Sequence, residues 1–257
     1  MSKEKVISIA AVMEKSGVNF GTSGVRGQVV DLSDEVCWAY AVGFIQYLQE
    51  TKQLQSGATV GIAGDYRTST DRMMGVLSQA IVDQGFEPVN LGKIPSPALA
   101  LYGLKHNMPT MMVTGSHIPE DHNGIKFNTA LGEILKPDEQ GIRAQVITIP
   151  AGKFTPVGAL VREPSLPPID GSAKAEYVKR YLNFFPKSAL QGLSIGLYEH
   201  SSVSRESLYE ILTGLGARVM LLGRTDAFIS VDTEAIRPED IIHFRPSGNA
   251  LLYRIGF

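Results

Sequence analysis

The sequence predicts an α/β fold: a βαβ sheet domain followed by a smaller, partial repeat of the same architecture. Three observations carry that expectation. Short apolar runs ending in Gly or Asp alternate with stretches of helical apolar spacing between residues 34 and 114. One helix separates each strand from the next, as right-handed crossovers and a mainly parallel sheet require. After a proline-rich stretch, residues 193–222 repeat the strand–helix–strand order.

The elements follow in order. Lys3 and Lys5 before an apolar 6–13 have the outline of a signal peptide, but Glu14 and Lys15 stand where a small-residue cleavage site is needed. Residues 6–13 are therefore read as a short helix. Residues 20–27 (FGTSGVRG) read as a flexible, hydroxyl-rich loop with one fixed cation. Ser33 or Asp34 caps a helix over 34–49. A strand at 59–65 (TVGIAGD) leads to cap oxygens on Thr68, Ser69, Thr70 and Asp71. The helix that follows buries Met73, Met74, Val76, Leu77, Ala80 and Ile81 and stops at Gly85. A strand at 87–91, a helix at 97–106 and a strand at 110–114 complete this run.

Beyond Thr114 the pattern changes. Asn123-Gly124 and Gly132 frame a hairpin of 125–128 with 133–135. A helix is expected over 139–149. Prolines 156, 164, 167 and 168 make 152–168 a linker or edge excursion, and the domain boundary is placed there. A helix at 173–183, a strand at 193–199, a helix carrying Leu208, Ile211, Leu212 and Leu215, and a strand at 218–222 form the second half. Ser201, Ser202 and Ser204 offer caps for that last helix. From Ile241 onward the pattern does not continue.

Composition bounds the rest. Scaling by chain mass lets roughly 70% of the unfolded surface be buried, enough for a core without disulfides. Hydrophobic residues at 44% and charged residues at 19% are too apolar for disorder. A net charge of −2 argues against a nucleic-acid partner but leaves room for a small anion. Cys37 is the one cysteine, which excludes an internal disulfide and fits a reducing, cytoplasmic setting. The longest apolar run, 37–45, falls far short of the roughly 20 residues of a membrane span.

The chemistry concentrates at 113–127. A strand ends, a serine follows on a Gly-flanked turn, and His117 stands beside it. Ligands of parallel α/β sheets gather at the carboxyl ends of strands. Ser116 is therefore exposed where backbone N–H groups, His117 and the returning Lys126 can stabilise an anion. That is chemistry for a phosphoryl group on serine oxygen, where positioning and charge stabilisation do most of the work. The plainer reading is a turn that satisfies its own hydrogen bonds. A serine hydrolase elbow needs glycines on both sides and a following helix, and neither is present. Three more segments carry arginine near glycine or hydroxyls: 20–27, 64–69 and 245–249. Each is an anion-site candidate and, singly, more often a plain turn. His106, His122, His200 and His243 lack metal-ligand spacing and read as surface or loop residues.

Together, FGTSGVRG at 20–27, GDYRT at 64–68, TGSHIP at 114–119 with NGIK at 123–126, and RPSGN at 245–249 stand in the order of the α-D-phosphohexomutases. The chain resembles that family, most of all its phosphomannomutase branch. The resemblance implies a phosphohexomutase-type βαβ mixed-sheet domain 1 over 1–155. It implies a partial, similar domain 2 over 156–240 and a remnant of the domain 4 phosphate loop over 241–257. It implies that Ser116 is phosphorylated at rest, gives its phosphate to a hexose monophosphate and takes back the other phosphate of the resulting bisphosphate. His117 and Lys126 fall where the family places basic groups, and Arg26 where it places an arginine near the reacting phosphate. Arg245, Ser247, Gly248 and Asn249 match the loop that grips the substrate's second phosphate. Ile118 stands where many members have Asn.

The resemblance further implies hexose phosphates as partners, hexose 1,6-bisphosphate as activator, and Mg²⁺ held partly through the Ser116 phosphate. Neither nucleic acid nor membrane is expected. The family's three metal-binding aspartates and its Gly-Glu-x-Ser-Gly sugar loop are missing from these 257 residues. Residues 232–240 look like the approach to the metal loop, yet 241–243 run straight into the domain 4 loop. An internal deletion with its junction near 240–242 is expected, and with it an inactive or impaired phosphohexomutase. The alternative is a non-catalytic fragment or a module that binds phosphosugars or another protein. A partial domain 2 leaves apolar sheet exposed, and self-association is expected as one way to cover it.

Overall fold

A computed structural model describes residues 4–225 and 227–229. The chain opens with β1 (Lys5–Ser8) and α1 (Ile9–Ser16), the helix starting where Ser8 Oγ accepts from Ala11 N at 3.2 Å. The short strands β2 (Asn19–Phe20) and β3 (Gly24–Gln28) pair antiparallel. Residues 20–27 are thus largely a hairpin rather than a flexible loop. Gly24 lets β3 lie close against the next strand of the sheet, because a Cβ there would overlap Ile125 O. Next comes α2 (Asp34–Glu50), whose Ser33 Oγ accepts from Val36 N at 3.4 Å. Trp38, Tyr40, Phe44, Ile45 and Leu48 on it are all buried. A helix apolar on nearly every side belongs at the centre of a core.

The crossover run then appears as read: β4 (Thr59–Gly64), α3 (Thr70–Asp83), β5 (Glu87–Lys93), α4 (Ser96–His106) and β6 (Thr110–Val113). β6 and β5 both flank β4 in parallel. β7 (His122–Thr129) turns back antiparallel to β6, carries β8 (Gly132–Glu133) on its end and pairs with β3. The sheet order is β2-β3-β7-β6-β4-β5. It is parallel on one side and antiparallel on the other, a mixed sheet rather than a mainly parallel one. Alternate strand residues point to opposite faces. Ile62, Met111 and Val113 enter the large core under α2 and α3, while Ala63 and Met112 enter a smaller core under α4.

α5 (Lys136–Ala144) ends sooner than the helix expected over 139–149, and β9 (Val146–Ile149) follows it. Val146-Ile147-Thr148-Ile149 are all β-branched, which favours an extended pleat over a helix. β9 pairs antiparallel with β1, so Val6 and Ile7 are strand rather than the start of the expected 6–13 helix. Residues 152–168 contain no helix. They run along α3 to β5, with Pro164 against Gly75, Ser78 Oγ donating to Ser165 O at 3.1 Å and Asn90 Nδ2 to Pro167 O at 2.9 Å.

The second αβ unit comprises α6 (Ser172–Phe184), β10 (Ser194–Tyr198), α7 (Arg205–Gly214) and β11 (Arg218–Leu222). β10 and β11 form a parallel pair. Val178, Ile211 and Leu215 make a small core of their own, and α6 also packs on α4. Leu193, Met220 and Leu221 remain exposed. No helix among the described residues is long and apolar enough to cross a membrane. The junction expected near 240–242 and the loop expected over 245–249 lie outside the described residues.

Candidate active site

The serine loop is built from three strand ends. β6 delivers Thr114-Gly115-Ser116, with Ser116 exposed and at φ 55°, in the left-handed region. A non-glycine residue there is uncommon and needs support from its surroundings. Asp65, at the end of the adjacent β4, supplies it. Its Oδ2 accepts from Thr114 Oγ1 at 2.9 Å and Gly115 N at 3.2 Å. Its Oδ1 accepts from Arg67 N at 3.0 Å and Thr70 Oγ1 at 2.8 Å. Thr114 Oγ1 in turn accepts from Ser116 N at 3.0 Å. One buried carboxylate therefore joins the ends of two strands and the start of α3.

Arg67 closes the loop from below. Its Nη2 donates to Ser116 O at 3.2 Å and Ile118 O at 2.5 Å, and its Nη1 to Pro119 O at 2.6 Å and His122 O at 3.1 Å. The residue is only 2% exposed, and its Nε lies 3.4 Å from Asp65 Oδ2. Burial depresses its pKa, and the Asp65 charge works against that shift. The planar guanidinium fork suits this task because it presents several donors in fixed directions. Arg67 thus faces loop carbonyls rather than a ligand, which corrects the reading of 64–69 as an anion-binding loop.

Gly115 is required by the same packing, since a Cβ there would overlap the Arg67 guanidinium. Gly115→Ala is expected to cost about 1–3 kcal/mol, the usual range for overpacking. Gly21→Ala, at a position with nothing within 4 Å, should stay within about 0.5 kcal/mol. Urea midpoints of the two variants check this, and equal stabilities would count against the clamp.

Ser116, His117 and Lys126 come together in one cleft of ≈ 290 Å³. Ser116 Oγ lies 3.4 Å from His117 Nδ1. Lys126, opposite Met112 in the β6–β7 ladder, shares its charge with Glu133 at 4.0 Å. Arg26, on β3 opposite Gly124, lines a separate depression with Asn19, Gly21 and Gln28. Arg245, Ser247, Gly248 and Asn249 lie outside the described residues.

The far wall of the cleft comes from the second unit, through His200, Ser201, Ser202, Val203, Ser204, Phe228 and Ile229. His200, read from the sequence as a surface or loop residue, lines this wall. Its Nδ1 is buried without a hydrogen-bond partner among the described residues, and burial together with Arg205 depresses its pKa below the ordinary histidine value. At neutral pH it is an uncharged ring. No spacing in the sequence marks it. Asp65 did leave a signal: an aspartate just past a strand end can accept from the backbone N–H two residues on, an Asx turn, as it does from Arg67 N. His106 and His122 are engaged elsewhere, with Glu176 and Asp121. Among the described residues, no group of three His, Cys, Asp or Glu stands together to hold a metal. The expected Mg²⁺ finds no protein ligand set there.

Comparison with known proteins adds to this geometry. A phosphomannomutase of Sinorhizobium fredii is 44% identical over 86% of this chain and 46% of its own length. One of Salmonella muenchen is 40% identical over 89% of this chain and 45% of its own length. The chain thus spans about half the length of the curated relatives it matches. A crystal structure of a phosphoglucomutase/phosphomannomutase family protein from Burkholderia thailandensis shares the fold. Its TM-score is 0.60 at 18% identity, covering 86% of this chain and 45% of that one. The family model for phosphoglucomutase/phosphomannomutase, alpha/beta/alpha domain I, matches residues 17–152, the stretch that builds the mixed sheet and the serine loop, and the chain belongs to that family.

Proposed function

We propose that this chain carries the phosphoryl-accepting serine of a phosphohexomutase acting on hexose phosphates. The observation that carries the reading is Ser116 itself, exposed at a strand end on a loop that Asp65 and Arg67 hold in an uncommon conformation. The relatives that bear the name phosphomannomutase support the substrate class. In this reading Ser116 Oγ attacks a phosphorus of hexose 1,6-bisphosphate. The Oγ–P bond forms as the bond from phosphorus to the sugar oxygen breaks, and the serine proton passes by way of His117 Nδ1 to the departing oxygen. The reverse step phosphorylates the other hydroxyl of the monophosphate. Lys126 sets a positive charge at the mouth of the cleft, where charge develops on the transferring group. Arg26 acts from the separate depression it lines. Residues 1–155 are domain 1 in this scheme, and 156–240 a partial domain 2.

A hydrolase reading finds no support, because both oxygens of Asp65 are engaged by the loop and α3 rather than orienting a base. The reading of a phosphosugar-binding fragment is favoured by one observation, the lack of a clustered metal ligand set among the described residues. We therefore propose a competent serine loop with impaired turnover in this chain. Incubating the protein with hexose 1,6-bisphosphate, then measuring intact mass, should show one added phosphoryl group. The label should map to Ser116 and vanish in Ser116→Ala. A label that persists in that variant overturns the assignment.

A further inference from the structure

We propose that Arg67 is a positioning residue that couples the Ser116 loop to the second αβ unit, so that the loop holds its shape only while that unit is docked. The relevance to phosphoryl transfer rests on the reading of Ser116 above; the coupling itself does not. The edge of the Arg67 guanidinium is occupied by four loop carbonyls, from Ser116, Ile118, Pro119 and His122. Its face is covered by Phe228, with Cζ 4.4 Å from the ring centre. Phe228 belongs to the second unit. Its neighbour Ile229 is bonded both ways to Ser201, N to Oγ at 2.8 Å and Oγ to O at 3.1 Å. The turn from β10 to α7 therefore sets where the ring sits.

The contact has a reciprocal. Arg205, the first residue of α7, places its Cζ 4.9 Å from the ring centre of Tyr66, the residue next to Arg67. It is 6% exposed and is held by His200 O at 3.0 Å and Thr225 O at 2.8 Å. Each unit thus presents an arginine from its strand-to-helix turn to an aromatic ring of the other. A guanidinium over a ring in a desolvated setting is held in plane as well as attracted. Without the Phe228 ring, water reaches the Arg67 face and competes with the carbonyls for its N–H groups. The loop carbonyls then lose the donors that hold Ser116 at positive φ.

The test uses the full 257-residue chain with Phe228→Ala, Phe228→Tyr and Arg67→Lys. Hydrogen exchange is followed at residues 115–122 and, for reference, in β5. Phe228→Ala and Arg67→Lys should speed exchange in the loop on the order of 10-fold, the equivalent of one such contact, and leave β5 unchanged. Phe228→Tyr, which keeps a ring, should restore the loop. The rate of Ser116 labelling by hexose 1,6-bisphosphate should fall in the same order. Unchanged loop exchange in Phe228→Ala overturns the proposal, and so does an equal rise in β5, which would make the residue a general stabiliser. If wild-type protein takes no label, the reading of Ser116 fails while the exchange arm still decides the coupling. Should Phe228→Ala not fold, nitrogen-15 NMR of the wild-type arginine side chains decides it. Slowly exchanging, ring-shifted Arg67 Nη protons are expected, and rotationally averaged ones overturn the proposal.

Discussion

Asp65→Ala is expected to destabilise the chain by about 3–5 kcal/mol, the range for removing one partner of a buried ion pair. The carboxylate accepts four hydrogen bonds and faces a cation that is 2% exposed. Its loss leaves Arg67 without its nearest counter-charge and strips Thr114 Oγ1 and Gly115 N of their acceptor. Domains of this kind are stable by only about 5–15 kcal/mol, so the effect is a large part of the total. Asp65→Asn keeps two acceptor sites and should cost less. Urea unfolding followed by circular dichroism measures both, with the midpoint lowered and the slope preserved. A change under about 1 kcal/mol in Asp65→Ala would show that the loop does not depend on this node.

The second large effect is on rate. The 257-residue chain alone is expected to interconvert mannose 1- and 6-phosphate at least about 10²–10³-fold below the order of 10 s⁻¹ typical of enzymes. Phosphoryl transfer needs preorganised positive charge where negative charge develops. In the proposed reading Lys126 supplies some of it, and its ammonium lies 4.0 Å from Glu133. No Asp-x-Asp-x-Asp occurs in the sequence, and the described residues assemble no metal ligand set. A coupled assay with Mg²⁺ and the bisphosphate activator measures the rate. Turnover near 10 s⁻¹ that disappears in Ser116→Ala would falsify this expectation.

The parallel strands and the helices between them were legible from apolar periodicity, although the hydroxyls read as caps of α3 make no capping hydrogen bond. Between Thr59 and Asp65, for example, the run TVGIAGD has no polar residue to place in a core. The errors fell where a local signal was short or non-local. Val146–Ile149 is only four residues, too few to show a period, and the β-branched character was the better guide. The pairing of β3 with β7 depends on Gly24 fitting against Ile125 O, a contact no window of sequence contains. At the site, the exposed serine with its histidine and lysine could be read from one motif. The support could not. Arg67 has the composition of an anion ligand, and only the folded structure reveals that its two Nη groups are occupied by backbone carbonyls. His200 enters the cleft because the second unit packs there, and nothing in its neighbours announces it.

The serine loop is assembled by partners far apart along the chain. Arg67 reaches Ile118 across 51 residues, and Gly115 N reaches Asp65 Oδ2 across 50. Loop closures of that length are slow steps in folding. During synthesis, with residues added at roughly 5–20 per second, Thr114-Gly115-Ser116 leaves the ribosome before β7 and β8 exist to receive it. The turn is then an ordinary flexible peptide without its left-handed serine. In the proposed reading, charging of Ser116 is consequently an event of the folded chain, and an unmodified hydroxyl is the state in which each new molecule begins.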